Sequence, residues 1–165
     1  MAANSRAPRC ARATSISDRA RSPVFLVDTV VLSELRKRQR DPGVVAWIGR
    51  QRAGDLFVSV VSIGEIERGI ALQQAKDRAF AEALAAWLDT VLALYGDRIL
   101  PFDLLAARRW GRLSAALGND SADLIIAATA LEHGLTVVTR NVADFAAAGA
   151  PTLNPFGRSA RQARR

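Results

Sequence analysis

Four acidic residues lie beside the ends of apolar, strand-like runs or at the start of a helix-like segment. Asp28 directly follows VFLV, and Glu65 follows DLFVSVVS. Asp144 comes soon after LTVV, and Asp123 opens the segment DLIIAATALEHG. If these carboxylates meet in the fold, repulsion forces one of them to take up a proton unless a cation lies between them. Oxygen ligands alone select a hard ion such as Mg²⁺ or Mn²⁺.

A site of this kind predicts metal-assisted hydrolysis of a phosphodiester. The ion polarises a phosphoryl oxygen, lowers the pKa of a bound water and offsets charge on the leaving oxygen. Each acid also has an ordinary structural role: Asp28 and Asp123 suit helix N-caps or first turns, and Asp144 suits the cap of a short C-terminal helix. Glu65, in the first turn of the predicted helix, shares an exposed acidic face with Glu67. The pattern leaves both interpretations open.

The sequence offers few residues for other chemistries. His133 is the single histidine, and its place before Gly134 suits the last turn of a helix, where the macrodipole favours it. The chain therefore has no HExxH motif and little scope for a Ser-His-Asp triad. No glycine-rich loop ends in Gly-Lys-Ser/Thr, and no GxGxxG follows a strand-like run.

The elements that would position the acids alternate along the chain. The three strand-like runs are short and continuously apolar, as in parallel sheets that are covered on both faces. They lie at 24–27, 55–62 and 135–138, with weaker candidates at 98–100 and 152–154. Helical patterns occupy 29–38, 43–52, 63–75, 77–95, 103–117 and 121–133. This order predicts one α/β domain with a mainly parallel sheet and helices on both sides. In open α/β sheets, ligands bind at the carboxyl ends of the strands.

Composition predicts a folded domain between two basic tails. Residues 1–23 carry five arginines against one aspartate, and residues 157–165 carry four arginines, whereas the net charge of the whole chain is +7. We predict disorder in the N-terminal tail; either tail is a solvated end or a non-specific phosphate contact. No apolar run is expected to reach the ~20 residues that span a bilayer. The lone Cys10 excludes an internal disulfide and suits a reducing, cytoplasmic compartment.

Four segments resemble the PIN-domain ribonucleases. They are FLVDTVVLSELRK, VSVVSIGEIERGI, SADLIIAATALEHGLTVVTRNVADF and LNPF, and they most resemble the VapC toxins of bacterial toxin–antitoxin pairs, in the subgroup like FitB. The resemblance runs from about Val24 to Phe156. It implies a three-layer α/β/α PIN domain over residues 24–156, Mg²⁺- or Mn²⁺-dependent RNA cleavage and homodimerisation. It also implies a small VapB- or FitA-like antitoxin whose C-terminal segment crosses the active site and whose N-terminal domain binds operator DNA.

The resemblance also implies roles for individual residues. Asp28 and Asp123 match the principal metal ligands, and Glu65 matches the glutamate that helps to hold the metal and the water. Asp144 matches the fourth acidic position less closely, because many relatives have an aspartate where Asn141 stands. The supporting positions are Thr29, which orients Asp28 or contacts a phosphate, Asn141, and Arg140, which contacts RNA or pairs with an acid.

One departure from the resemblance leaves a rival interpretation open. The opening motif usually reads DTN, whereas Val30 follows Thr29, and valine cannot form the hydrogen bond of an asparagine. The rival is a non-catalytic PIN-fold module or regulator with an impaired site. A DNA-directed nuclease is a third possibility, because the sequence does not show how the 2′-hydroxyl would be recognised. The basic run Arg36, Lys37, Arg38 and Arg40 either guides RNA or is a solvated helix end.

Overall fold

A computed structural model describes residues 23–157, so the two predicted basic tails lie almost entirely outside the described residues. The strands are β1 (Phe25–Val27), β2 (Leu56–Ser59), β3 (Ile99–Leu100), β4 (Thr136–Val138) and β5 (Thr152–Leu153). The helices are α1 (Thr29–Arg36), α2 (Pro42–Ile48), α3 (Val60–Gln74), α4 (Arg78–Tyr95), α5 (Leu104–Leu117), α6 (Ala122–His133) and α7 (Val142–Ala147). The predicted strands and helices are confirmed, with shifts at several ends.

The sheet is parallel throughout, in the order β3-β2-β1-β4-β5. From the central β1 the chain first builds outward through β2 and β3, and then returns to the other side of β1 with β4 and β5. The carboxyl ends of β1 and β4 therefore lie at the point where the strand order reverses, and open α/β sheets bind their ligands at such points. Val27 pairs with Val138, so the residues that follow, Asp28 and Thr139, are neighbours.

Alternate residues of the strands serve two separate cores, one on each face of the sheet. Phe25 and Val27 of β1 pack with residues of α1, α2, α3 and α4. Leu26 faces the other way and packs with residues of α6 and α7 and with partly buried Trp110 of α5. This arrangement explains why the strand sequences are apolar without alternation, since both faces are covered. The predicted three-layer α/β/α architecture is confirmed.

The second strand ends earlier than predicted. Ser59 is the N-cap of α3, where its hydroxyl accepts a hydrogen bond from the backbone N–H of Val61 (3.2 Å). This cap outweighs the strand preference of the two valines that follow, so residues 60–62 are helical. Glu65 consequently lies in the second turn of α3, and its predicted place in the first turn was wrong.

Helix α4 corrects the expectation that no apolar run is long enough to span a bilayer. The segment Arg78–Arg98 is long and apolar enough, by length and composition, to cross a membrane. Its Leu88 and Val91 are buried in the core that α4 shares with the sheet. One face of α4 therefore packs on the core, although only 22% of the apolar window is buried.

Candidate active site

Asp28 lies where β1 passes into α1, almost fully buried at 3% exposure. Its N–H donates to the carbonyl of Val138 (3.1 Å), which extends the pairing of β1 with β4 by one residue. One carboxylate oxygen, Oδ1, caps α1 by accepting from the N–H of Thr29 (2.7 Å). The capping role predicted for Asp28 is confirmed. It uses one oxygen and leaves the other directed elsewhere.

The second oxygen of Asp28 is held by Thr139, a residue that the sequence patterns did not single out. The Thr139 hydroxyl donates to Asp28 Oδ2 (2.7 Å) and accepts from the N–H of Asn141 (2.9 Å). Thr139 is fully buried, so this contact is shielded from water. A polar residue that ends an apolar strand opposite Asp28 is the signal that would have identified it, once β1 was paired with β4.

The charges around Asp28 show that other acids are near it. Burial raises the pKa of Asp28 to about 6, and the hydrogen bond from Thr139 opposes this rise. The negative charges of Asp123 and Glu65 are smaller contributions to the same rise. Two of the other three predicted acids therefore act on Asp28, although about 95 residues separate Asp28 from Asp123 along the chain.

Asp123 lies in the first turn of α6, which begins at Ala122 after Ser121 caps it. Partial burial raises the pKa of Asp123, a hydrogen bond from the Asn141 side chain lowers it, and the charge of Asp144 raises it. Asn141 and Asp144 belong to the start of α7. Asp144 is therefore near enough to Asp123 to raise its pKa, and Asn141, which follows β4 in the chain, contacts Asp123.

Glu65 is oriented by Thr29, whose hydroxyl donates to Glu65 Oε2 (2.6 Å). Thr29 thus serves two acids: its backbone N–H contacts Asp28 and its side chain contacts Glu65. Val30 is partly buried and packs against the core that includes α1 to α4. In this chain, the hydroxyls of Thr29 and Thr139 donate hydrogen bonds to Glu65 and Asp28 respectively.

These residues fit a hard, hydrated divalent cation. Within residues 23–157, no three His, Cys, Asp or Glu side chains form a group that is ready to ligate one ion together. Mg²⁺ does not require such a group, because it usually keeps several waters and takes one or two carboxylates from the protein. Asp28, whose pKa is raised chiefly by burial and also by two other acids, supplies negative charge that such an ion neutralises.

Two of the basic residues that were candidates for guiding RNA, Arg36 and Arg140, contact other side chains of the protein. Arg140 stacks on the ring of Phe156 (3.9 Å to the centroid) and lies 3.8 Å from Glu34 Oε2. Pairing with an acid was one of the two roles predicted for Arg140. Its partner, Glu34, is not one of the four acids of the predicted site. Arg36 lies over the rings of Phe80 and Trp87 on α4.

Two clefts share Trp87 in their lining, and one of them borders Glu65. The first has a volume of about 200 Å³ and runs between α1, α3 and α4, from Thr29 and Glu65 to Phe80. The second has a volume of about 230 Å³ and is lined mainly by apolar side chains of α1, α2 and α4, including the exposed Leu94. Trp87 therefore lies between the cleft that borders Glu65 and the apolar cleft.

The Thr139 contact gives a first testable prediction. Thr139→Val keeps the branched shape but leaves the buried Oδ2 of Asp28 without its donor. We expect the free energy of unfolding of the metal-free protein at pH 7 to fall by about 1–3 kcal/mol, measured by urea unfolding. Thr139→Ser retains the hydroxyl and is the matched control. Equal stability of the valine and serine variants would contradict the role given to this hydrogen bond.

Known proteins are similar to this chain in sequence and in fold. A family model described as "PIN domain" matches residues 25–150. The chain is 37% identical over 140 residues to the VapC ribonuclease Y4jK of Sinorhizobium fredii, covering 81% of this chain and 98% of that protein. It is 34% identical over 140 residues to the toxin FitB of Neisseria gonorrhoeae, covering 81% and 99%. The crystal structure of FitAcB from Neisseria gonorrhoeae superposes with a TM-score of 0.71 at 34% identity, covering 80% of this chain and 98% of that one.

Proposed function

This chain belongs to the PIN-domain family, and we propose on that premise that it is a Mg²⁺- or Mn²⁺-dependent endoribonuclease that acts as the toxin of a toxin–antitoxin pair. Similarity to a VapC ribonuclease and to the toxin FitB supports the class of activity. The observation that carries the proposal is the buried Asp28, whose pKa of about 6 reflects its burial and the nearby charges of Asp123 and Glu65. A buried carboxylate with a raised pKa destabilises the fold at neutral pH, and groups of this kind are concentrated at functional sites.

Asp28 and Asp123 would hold the ion, and Glu65 and Asp144 would complete the acidic pocket. When bound, a divalent cation polarises the phosphoryl group, lowers the pKa of a water and offsets charge on the leaving oxygen. Thr139 keeps Asp28 in one orientation, and Asn141 does the same for Asp123. These contacts leave the carboxylates little freedom to rotate, which reduces the reorganisation needed when a substrate binds.

Glu65 is the acid best placed to order the attacking water. Its Oε2 accepts from Thr29, and we assign its remaining lone pairs to the water. In the hydrolysis, the water oxygen forms a bond to phosphorus as the bond to the leaving ribose oxygen breaks. The water's proton passes toward Glu65, and the leaving oxygen takes a proton from solvent. Glu65 borders the open cleft, which gives the water and the RNA a path to this side chain.

An antitoxin segment would cover the two clefts. Similar solved structures include FitAcB and a FitAB bound to an IR36 DNA fragment, and the resemblance to FitB-like toxins implies an antitoxin whose C-terminal segment crosses the active site. From Glu65 such a segment would continue past Trp87 into the apolar cleft and cover Leu94. Operator DNA would then be bound through the antitoxin. A homodimer and a cytoplasmic location complete the proposal.

The rival function is a non-catalytic binding module, and Val30 is the residue that favours it. The test uses antitoxin-free protein with one labelled single-stranded RNA and a DNA of the same sequence. We expect RNA fragments in Mg²⁺ or Mn²⁺ and none in excess chelator. Equal cleavage in chelator would contradict the metal role. No cleavage with either metal would favour the binding module, and faster cleavage of DNA would make the protein a DNA nuclease.

A further inference from the structure

We propose that Arg140 is a positioning residue that couples the C-terminal segment at residues 155–157, called the strap below, to the loop at residues 139–141. That loop contacts Asp28 through Thr139 and Asp123 through Asn141. Arg140 lies between these two residues in the chain and reaches away from both acids. The consequence for metal binding rests on the proposed function, whereas the consequence for the order of the loop does not.

Arg140 is fixed on two sides. Its guanidinium lies over the ring of Phe156 at 3.9 Å from the centroid, a stacking arrangement that the planar arginine fork favours over lysine. Its Nη2 lies 3.8 Å from Oε2 of Glu34. The side chain of Glu34 is only 6% exposed, and it also accepts hydrogen bonds from Lys37 Nζ (2.7 Å) and from the N–H of Asp41 (2.9 Å). Arg140 is therefore tied to an acid that is itself immobilised.

The strap is held on the start of α2. The N–H of Gly157 donates to Asp41 Oδ1 (3.1 Å), and the same oxygen accepts from the N–H groups of Gly43 (2.8 Å) and Val44 (3.2 Å). A Cβ on Gly43 would lie 2.5 Å from the carbonyl oxygen of Pro155 and 2.8 Å from the nitrogen of Gly157. Both contacts are with backbone, so the strap can occupy this place only while residue 43 has no side chain.

The strap and the loop at residues 139–141 are therefore joined through one side chain. The strap fixes Phe156, Phe156 and Glu34 fix Arg140, and Arg140 fixes the peptide between Thr139 and Asn141. A displacement of the strap should loosen both neighbours of Arg140, and with them the orientation of the two aspartates that they contact. Residues that orient metal ligands from outside commonly change metal affinity by ~10–100-fold when they are altered.

Direct contact between Arg140 and RNA is the competing explanation, because half of this side chain is exposed, at 52%. Gly43→Ala distinguishes the two. This change removes no charge and no hydrogen-bonding group, and it acts on the strap through the two short backbone contacts. An effect of Gly43→Ala on the loop passes through the strap or through Asp41, because the added Cβ would also lie 3.0 Å from Asp41 Oδ1. Phe156→Leu changes the strap itself and so separates these two routes.

The experiment compares Arg140→Ala, Arg140→Lys, Gly43→Ala and Phe156→Leu in the full chain. Two quantities are measured without RNA: the Kd for Mn²⁺ by calorimetry, and the hydrogen-exchange rate of the Asn141 amide, which donates to Thr139. Arg109→Ala is the matched control, because Arg109 also pairs with a glutamate, at 2.8 Å, but joins α5 to α6. Thermal unfolding identifies any variant that fails to fold. If Gly43→Ala fails to fold, Phe156→Leu, a milder change to the strap, takes its place.

For Arg140→Ala and Gly43→Ala, we expect the Kd for Mn²⁺ to rise about tenfold and the Asn141 amide to exchange faster. Arg140→Lys should change both quantities less, and Arg109→Ala should change neither. Wild-type exchange and Mn²⁺ affinity in Arg140→Ala would overturn the proposal, and slower RNA cleavage in that variant would then identify Arg140 as an RNA contact. If the wild-type chain binds no Mn²⁺, the metal proposal fails, while faster exchange at Asn141 would still support the coupling.

Discussion

Asp28→Asn should reduce RNA cleavage by at least about a thousandfold. The substitution preserves the size of the side chain, and the amide oxygen still accepts from the N–H of Thr29. It removes the negative charge that, together with Asp123, would hold the divalent ion. Loss of several kcal/mol of transition-state stabilisation corresponds to about three powers of ten in rate. The measurement is the initial rate of cleavage of a labelled RNA at saturating Mn²⁺.

Asp89→Asn is the matched control for this variant. Asp89 is an exposed aspartate on α4, so its substitution removes the same charge without touching the site. It should retain the wild-type rate. If Asp28→Asn retained more than about a tenth of the wild-type rate while binding RNA normally, the role of Asp28 as a metal ligand would be excluded, and the remaining acids would have to provide the whole site.

The sequence predicts the position of Asp28 well because strong local signals coincide there. An apolar run without alternation indicates a covered parallel strand, and an aspartate followed by helical periodicity indicates an N-cap. The structure has both at Asp28, with β1 ending at Val27 and α1 beginning at Thr29. Asp123 is predictable in the same way, since it lies just inside a helix that Ser121 caps.

The contacts between these elements are less predictable because they depend on register. Thr139 becomes the partner of Asp28 only because Val27 pairs with Val138. No local pattern in the sequence of β1 or of β4 predicts that pairing. The position of Glu65 was wrong by a turn because one serine cap started α3 three residues early. A shift of that size does not alter which strand end the residue follows, so its convergence with Asp28 survived the error.

Long-range ion pairs were the least predictable feature. Arg140 was expected beside the site because of its neighbours in the chain, and its side chain instead faces Glu34 and Phe156. Consecutive residues near the end of a strand point in opposite directions. The residue between Thr139 and Asn141 is therefore expected to point away from the acids, an inference that becomes available only when Thr139 is known to point toward them.

Asp28 should also make the metal-free protein less stable as the pH rises from 4 to 7. Its pKa is about 6 in the fold, against the ordinary value of 3.8. Below the ordinary value the group is protonated in both the folded and the unfolded states and has no effect. Between the two values the folded state retains a proton that the unfolded state has lost, so the free energy of unfolding falls with pH. Two pKa units correspond to about 3 kcal/mol above pH 6.

Comparison with Asp28→Asn isolates this contribution. Glu34 and Asp41 have lowered pKa values, chiefly through the Lys37 hydrogen bond and the Gly157 N–H respectively, and they stabilise the fold as the pH rises, so the wild-type curve alone mixes opposite trends. In chelator, the stability advantage of Asp28→Asn over wild type should grow from little at pH 4 to about 3 kcal/mol at pH 7. Saturating Mn²⁺ at pH 7 should stabilise the wild type and leave the variant nearly unchanged. A constant difference between the two proteins across this range would mean that the Asp28 carboxylate is solvated and free of its acidic neighbours, and the fold would then contain no charge cluster for a cation to neutralise.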